Sequence, residues 1–180
     1  ARARLELDFL SALSKTGICP PPNLSLDSFT EADALKIQEY EKTTRHDVKA
    51  IEYYLRERLS PELHQWIHFG LTSEDINNIA QALALRDSRD HVLLPAFDEL
   101  LASLRDFAKK HRALPMLART HGQPAVPTTL GKEIAVYLAR SKKCRDEIAN
   151  HKFEAKLTGA VGNFNALHSA FPDIDWLAFS

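Results

Sequence analysis

The sequence predicts an all-α fold, a helical bundle, on three observations. Glycine is scarce, with 6 residues in 180. The only long hydrophobic periodicity lies near 3.6, the period that turns one face of a helix toward a core. The stretches that carry it are separated by short clusters of Pro, Gly and Asn, the punctuation of polar loops between helices.

Each element follows in order. Residues 1–15 place Leu5, Phe9, Leu10 and Leu13 on one helical face. Pro20, Pro21 and Pro22 sit inside a breaker cluster running from Gly17 to Leu26. Ser28 with Glu31 three residues later has the form of a capping box, opening a helix to about Thr43. The next stretch, 46–59, carries Val48, Ile51, Tyr54, Leu55 and Leu59. Ser60-Pro61 then sets a cap and first position for a short helix ending near Gly70. Thr72-Ser73-Glu74-Asp75 is another start signal, with hydroxyls at the cap and acids where the helix dipole favours them. The helix it opens extends to about Arg112, kinked or split near Leu94 because Pro95 removes a backbone bond. Pro115, Gly122, Pro124 and Pro127 make 113–127 loop or extended chain. A long helix follows from about Thr128 to Lys156, and 157–180 reads as a Gly/Asn-rich turn with a largely irregular tail.

Composition narrows the function. At 44% hydrophobic, the chain has enough apolar content for a core, which excludes wholesale disorder. A net charge of −1 gives no general hold on nucleic acid or an anionic membrane. No run approaches 18 apolar residues, so no helix is expected to span a bilayer. Cys19 and Cys144 lie far apart in no metal-ligand spacing, which favours a reducing, intracellular setting. The chain starts inside an amphipathic pattern without an initiator Met, and is expected to be a piece of something longer.

Three places concentrate polar chemistry. Arg45-His46-Asp47-Val48-Lys49 opens a helix with Arg45 and Lys49 on one face, either a grip for phosphate or carboxylate or a solvated helix start. Thr72-Ser73 offers hydroxyls and backbone N–H groups to an anion such as a substrate carboxylate, or is an ordinary N-cap. Arg119-Thr120-His121-Gly122-Gln123-Pro124 holds an imidazole on a loop bounded by Gly and Pro. There His121 suits a general acid or base, with Thr120 or Gln123 fixing its tautomer or the substrate, or is a locally bonded turn histidine. His64 and His68, four apart, have metal-binding spacing without a third ligand, so no metal is expected. Gly159-Ala160-Val161-Gly162-Asn163 shares only composition with a phosphate loop, since it follows a helix and lacks the Lys-Ser/Thr ending.

Taken together, TTRHDVKAIEYYL (43–55), IHFGLTSEDINN (67–78), LARTHGQPAVPTTLGKE (117–133) and GAVGNFNA (159–166) resemble the adenylosuccinate lyase family of the fumarase/aspartase superfamily. KAIEYYL and FPDIDW look most like its bacterial form. The resemblance implies residues 1–71 as part of an N-terminal helical domain and 72–180 as the first part of the central helical bundle. It implies a cytoplasmic homotetramer with active sites shared between subunits. The reaction it implies is β-elimination of fumarate, from adenylosuccinate to give AMP and from the succinylocarboxamide ribotide, without a cofactor. His121 would be the general acid for the departing nitrogen. Thr72 and Ser73 would bind the succinyl carboxylates, and Arg45, His46 and Asp47 would contribute around the nucleotide. The family's serine loop, with its Ser-Ser-x-Met-Pro-x-Lys-x-Asn signature, supplies the base, and this sequence does not contain it. The 180-residue chain alone is therefore expected to be inactive. Another lyase of the superfamily, such as argininosuccinate lyase, or a non-catalytic helical module are the competing readings.

Overall fold

A computed structural model describes residues 1–180. Six longer helices carry the chain: α1 (Arg2–Lys15), α2 (Glu31–Thr44), α3 (Asp47–Arg56), α4 (Ser73–Ser88), α5 (Leu94–Lys110) and α6 (Leu130–Asn150). Two short ones, α7 (Asn165–Ala170) and α8 (Trp176–Phe179), follow near the C-terminus. Strands β1 (Pro115–Thr120) and β2 (Gln123–Thr129) form one hairpin between α5 and α6. The chain divides into two compact units, Ala1–Ala84 with Glu154–Ser180, and Leu85–Phe153. No helix is long and apolar enough to cross a membrane.

The first unit holds the core. The three-residue spacing of Leu7, Leu10 and Leu13 on α1 makes a face that buries against Ile51, Tyr54 and Leu55 of α3. Leu63, Ile67, Leu167 and Trp176 complete the cluster. Two details depart from the sequence expectation. The capping box of α2 is Thr30 with Asp33, two residues beyond Ser28 and Glu31: Thr30 Oγ1 accepts from Asp33 N while Asp33 accepts from Thr30 N at 2.9 Å. Asp33 also accepts from Tyr54 Oη and Arg58, and these bonds, led by the Thr30 amide, hold its carboxyl down at about 2. Residues 61–70 form one 3₁₀ turn, Pro61–Leu63, and further turns rather than a helix. Positive φ at His68 (60°) and Gly70 (70°) stops helical propagation there. Gly70 has no room for a side chain, because a Cβ would meet Leu167 Cδ2 at 2.5 Å. The tail stays largely irregular, with the two short helices α7 and α8 inside it.

In the second unit, Pro95 acts as expected but without ending the helix. The backbone widens into a π-turn at Arg89–Leu93 and re-enters α-geometry with proline in the first turn of α5. A widened turn accommodates the missing N–H and the bulky ring. α5 and α6 run antiparallel: Arg145 grips Asp98 through two bonds of 2.9 and 2.8 Å near one end. At the other end Gly131 packs on the last turn of α5. A Cβ on Gly131 would meet backbone, with Arg112 Cα at 2.6 Å and Ala108 O closer still. Since backbone cannot rotate away, Gly131→Ala is expected to lower stability by about 1–3 kcal/mol, read as a shift of the urea midpoint at unchanged slope. α5 buries only Leu101 and Ala108, while Leu100 and Phe107, seven residues apart, stay exposed on it. Tyr137 on α6 is exposed as well. A heptad-spaced apolar stripe of this kind is the pattern that packs against further helices.

Candidate active site

Arg45, His46, Asp47, Thr72 and Ser73 all belong to the first unit. Arg45 ends α2 in the left-handed region (φ 51°), which turns the chain sharply into α3. His46 is extended and caps α3, its Nδ1 accepting from Lys49 N at 3.2 Å. With Nδ1 an acceptor, the ring proton is assigned to Nε2, and Nε2 lies 3.2 Å from Ser73 Oγ. Ser73 thereby accepts from His46 and keeps its own O–H free to donate to a ligand oxygen. Asp47 braces the start of α3. Its Oδ1 accepts from Val48 N at 2.8 Å and its Oδ2 from Asn77 Nδ2 at 3.2 Å, with Arg2 at 3.4 Å. Partial burial pushes the Asp47 carboxyl up, but the Val48 and Asn77 bonds and the Arg2 charge outweigh it, leaving it below its ordinary value.

The start of α4 is not closed by a hydroxyl. Asp75 reaches back to accept from Thr72 N at 2.9 Å, while Thr72 O accepts from Asp75 N. Asp75 is fully buried, and the same carboxylate accepts from Thr158 N, Gly159 N and the Lys156 ammonium. Asn78 pairs with both backbone groups of Lys156, at 2.7 and 3.0 Å. Two amides at the start of the Gly159–Asn163 loop are therefore committed to a carboxylate, which is not how a phosphate-cradling loop spends them. The sequence marked Asp75 only as a first-turn acid and gave no role to the side chains of Asn78 and Lys156. A signal existed for the first, because Thr72-x-x-Asp75 has capping-box spacing. The long-range partners of Asp75 and Asn78 left no mark in the sequence.

Thr120, His121 and Gln123 belong to the second unit, on the hairpin. Thr120 pairs with Gln123 across a two-residue turn made by His121 and Gly122. Both have positive φ, 50° and 74°, as a type I′ turn requires. Histidine is among the residues that tolerate this region, and Arg119 Nη1 donates to Gly122 O at 3.3 Å. Pro124 and Pro127 face Arg119 and Leu117 on a hairpin with a register shift between Leu117 and Arg119. Prolines are tolerated there because both strands are edges. His121 is exposed at the tip, with Thr120 and Gln123 exposed beside it. The backbone thus fixes the imidazole's position while packing leaves it open to a partner.

His64 and His68 are held by protein partners. His64 Nε2 lies 3.1 Å from Leu59 O. His68 Nδ1 lies 2.7 Å from Glu6 Oε1, and its backbone N–H donates to the same carboxylate at 3.2 Å.

A family model described as Lyase matches residues 23–179. The chain belongs to the Lyase family. Among relatives of this lyase chain is the adenylosuccinate lyase of Vibrio cholerae, 51% identical over 195 residues, covering 99% of this chain and 43% of the relative. The adenylosuccinate lyase of Escherichia coli K12 is 47% identical over 158 residues, covering 85% of the chain and 35% of the relative. That of Dictyostelium discoideum is 40% identical over 199 residues, with 99% and 43% covered. The lyase chain thus spans less than half the length of these relatives. Among solved structures, a fumarate lyase from Mesorhizobium sp. BNC1 superposes with a TM-score of 0.78 at 20% identity, over 96% of this chain and 42% of that one. A β-carboxy-cis,cis-muconate cycloisomerase from Acinetobacter calcoaceticus gives 0.72 at 21%, over 99% and 42%. These likenesses show that the fold is the helical fold of the fumarate lyases.

Proposed function

We propose that this chain is part of an adenylosuccinate lyase, which eliminates fumarate from adenylosuccinate to give AMP and from the succinylocarboxamide ribotide. The observation that carries this reading is the 51% identity to the Vibrio cholerae enzyme of that name over nearly the whole chain. Argininosuccinate lyase is the alternative within the same fold.

β-Elimination removes a proton from the carbon beside a carboxylate, breaks the C–N bond and leaves a nitrogen that needs a proton. His121 supplies that last proton, as a general acid displayed at a rigid turn. Thr72 and Ser73 bind the succinyl carboxylates, and the Ser73 O–H left free by His46 is one donor for them. Thr120 and Gln123 flank His121 and orient the substrate or the imidazole. Arg45 and His46 contribute binding around the nucleotide, with Arg45 suited to phosphate, and Asp47 holds the turn that presents them. Two proton transfers and neutralisation of anions require no redox cofactor. The base comes from a serine-loop segment that this sequence lacks, so the 180-residue chain alone releases no fumarate. Residues 1–71 belong to an N-terminal helical domain and 72–180 to a central bundle, completed in a cytoplasmic homotetramer that covers the exposed stripe of α5.

The test is fumarate release by the full-length gene product, offered adenylosuccinate and argininosuccinate side by side. Turnover of the purine adduct alone is expected. Turnover of argininosuccinate alone, or of neither, overturns the reading.

A further inference from the structure

Asp75 makes more contacts than its place in the first turn of a helix calls for. Its carboxylate is wholly buried. Oδ2 accepts from Thr72 N at 2.9 Å and from Gly159 N at 3.1 Å, and Oδ1 from Thr158 N at 3.2 Å and the Lys156 ammonium at 2.8 Å. One oxygen atom thus joins the turn that bears Thr72 and Ser73 to the loop that begins at Gly159. The joint is reinforced on each side. Lys156 Nζ also donates to Gly159 O at 2.6 Å, and Asn78 clamps the Lys156 backbone. The loop closes on itself through Phe164 N to Thr158 O at 2.9 Å, and Gly159 backs onto Gly70 O. Residues 160–163 remain exposed. A buried carboxylate is an inefficient source of stability, since well-packed apolar residues often serve as well. What it supplies is fixed geometry.

We propose that Asp75 is a positioning residue for the dicarboxylate end of the substrate: it locks the Thr72–Ser73 turn and the Gly159–Asn163 loop into one rigid surface. This rests on the reading of Thr72 and Ser73 as carboxylate ligands. Asp75 touches no reacting atom; it sets where the Ser73 hydroxyl and the loop stand.

The experiment compares Asp75→Asn, Lys156→Gln and Lys156→Arg in the full-length protein. Asn keeps the shape of Asp75 but turns a donor toward the loop amides. Lys156→Gln leaves Asp75 in place and removes the cation that orients it, and it serves if Asp75→Asn does not fold. Displacing a binding group by about an ångström costs up to about 100-fold. KM for adenylosuccinate and the inhibition constant of fumarate are expected to rise together by about 10- to 100-fold. Inhibition by AMP, which lacks the succinyl carboxylates, stays unchanged, and Lys156→Arg restores fumarate binding. Unchanged KM and fumarate inhibition overturn the proposal, as does equal loss of fumarate and AMP affinity, the pattern of general loosening. A wild-type protein that releases no fumarate from adenylosuccinate defeats the substrate reading instead. Calorimetric titration of wild type and Lys156→Gln with fumarate then decides the role of Asp75, and equal affinities or no binding overturn it.

Discussion

His121→Asn in the full-length protein is expected to lower turnover of adenylosuccinate by about 10²–10⁴-fold, the usual worth of a general acid, without lowering the melting temperature. Asparagine is the informative replacement because of the turn. His121 sits at positive φ followed by Gly122, also positive, and Asn-Gly is the pair that type I′ turns prefer. The variant keeps or improves the hairpin while removing the imidazole, the group there able to donate the proton. Alanine would confound the two effects, since it lacks asparagine's tolerance of the left-handed region. A drop in kcat with an unchanged melting curve places the chemistry on the imidazole. Undiminished turnover would make His121 a turn residue and move the acid elsewhere. If the wild type has no lyase activity at all, the helical-module reading gains.

His68→Ala is expected to cost about 3–5 kcal/mol of stability, because it leaves the Glu6 carboxylate buried beside an empty site and places alanine at a left-handed backbone position, φ 60°. Glu6 is wholly inaccessible on α1, and His68 is its ring partner from a turn sixty-two residues away. Burial opposes a charge on His68, but the hydrogen bond and charge of Glu6, helped by Glu52 and opposed by Lys49, outweigh it and raise the imidazole above its ordinary value. A raised value means that the folded state holds the proton more tightly than the unfolded chain. The pair's contribution is therefore complete below about pH 6.5, the unfolded imidazole value, and is lost as pH rises through the folded one. Urea midpoints should fall across that window. Glu6→Gln removes the charge while retaining an oxygen for the His68 amide, so it should flatten the pH dependence. A slope that survives in Glu6→Gln would assign it to another group.

The local signals were legible where a short-range rule decides the outcome. Pro95 marked an irregularity in a long helix, and the Pro/Gly content of 113–127 predicted loop or extended chain, which the structure shows as a hairpin. The helix start at Thr72-Ser73 lies where the sequence put it, although the Asp75 carboxylate rather than a hydroxyl closes it. Errors arose where two local solutions were equally good. Ser28 with Glu31 and Thr30 with Asp33 have the same spacing, and Asp33 prevails because Tyr54 and Arg58 meet it from α3 and the turn beyond.

Helix class, the order of the motifs and the kinship to lyases were determined by the sequence itself, since periodicity and capping act over a few residues. Contacts between distant segments were decided only by tertiary structure. His68, spaced as if for a metal with His64, became the partner of a buried acid on α1. The acidic first turn of α4 became the anchor of a loop more than eighty residues away. Gly131 reveals its purpose only when α5 lies against it. Burial explains the difference: once removed from water, a charge or an amide must find a partner, and the fold alone determines which partner is within reach.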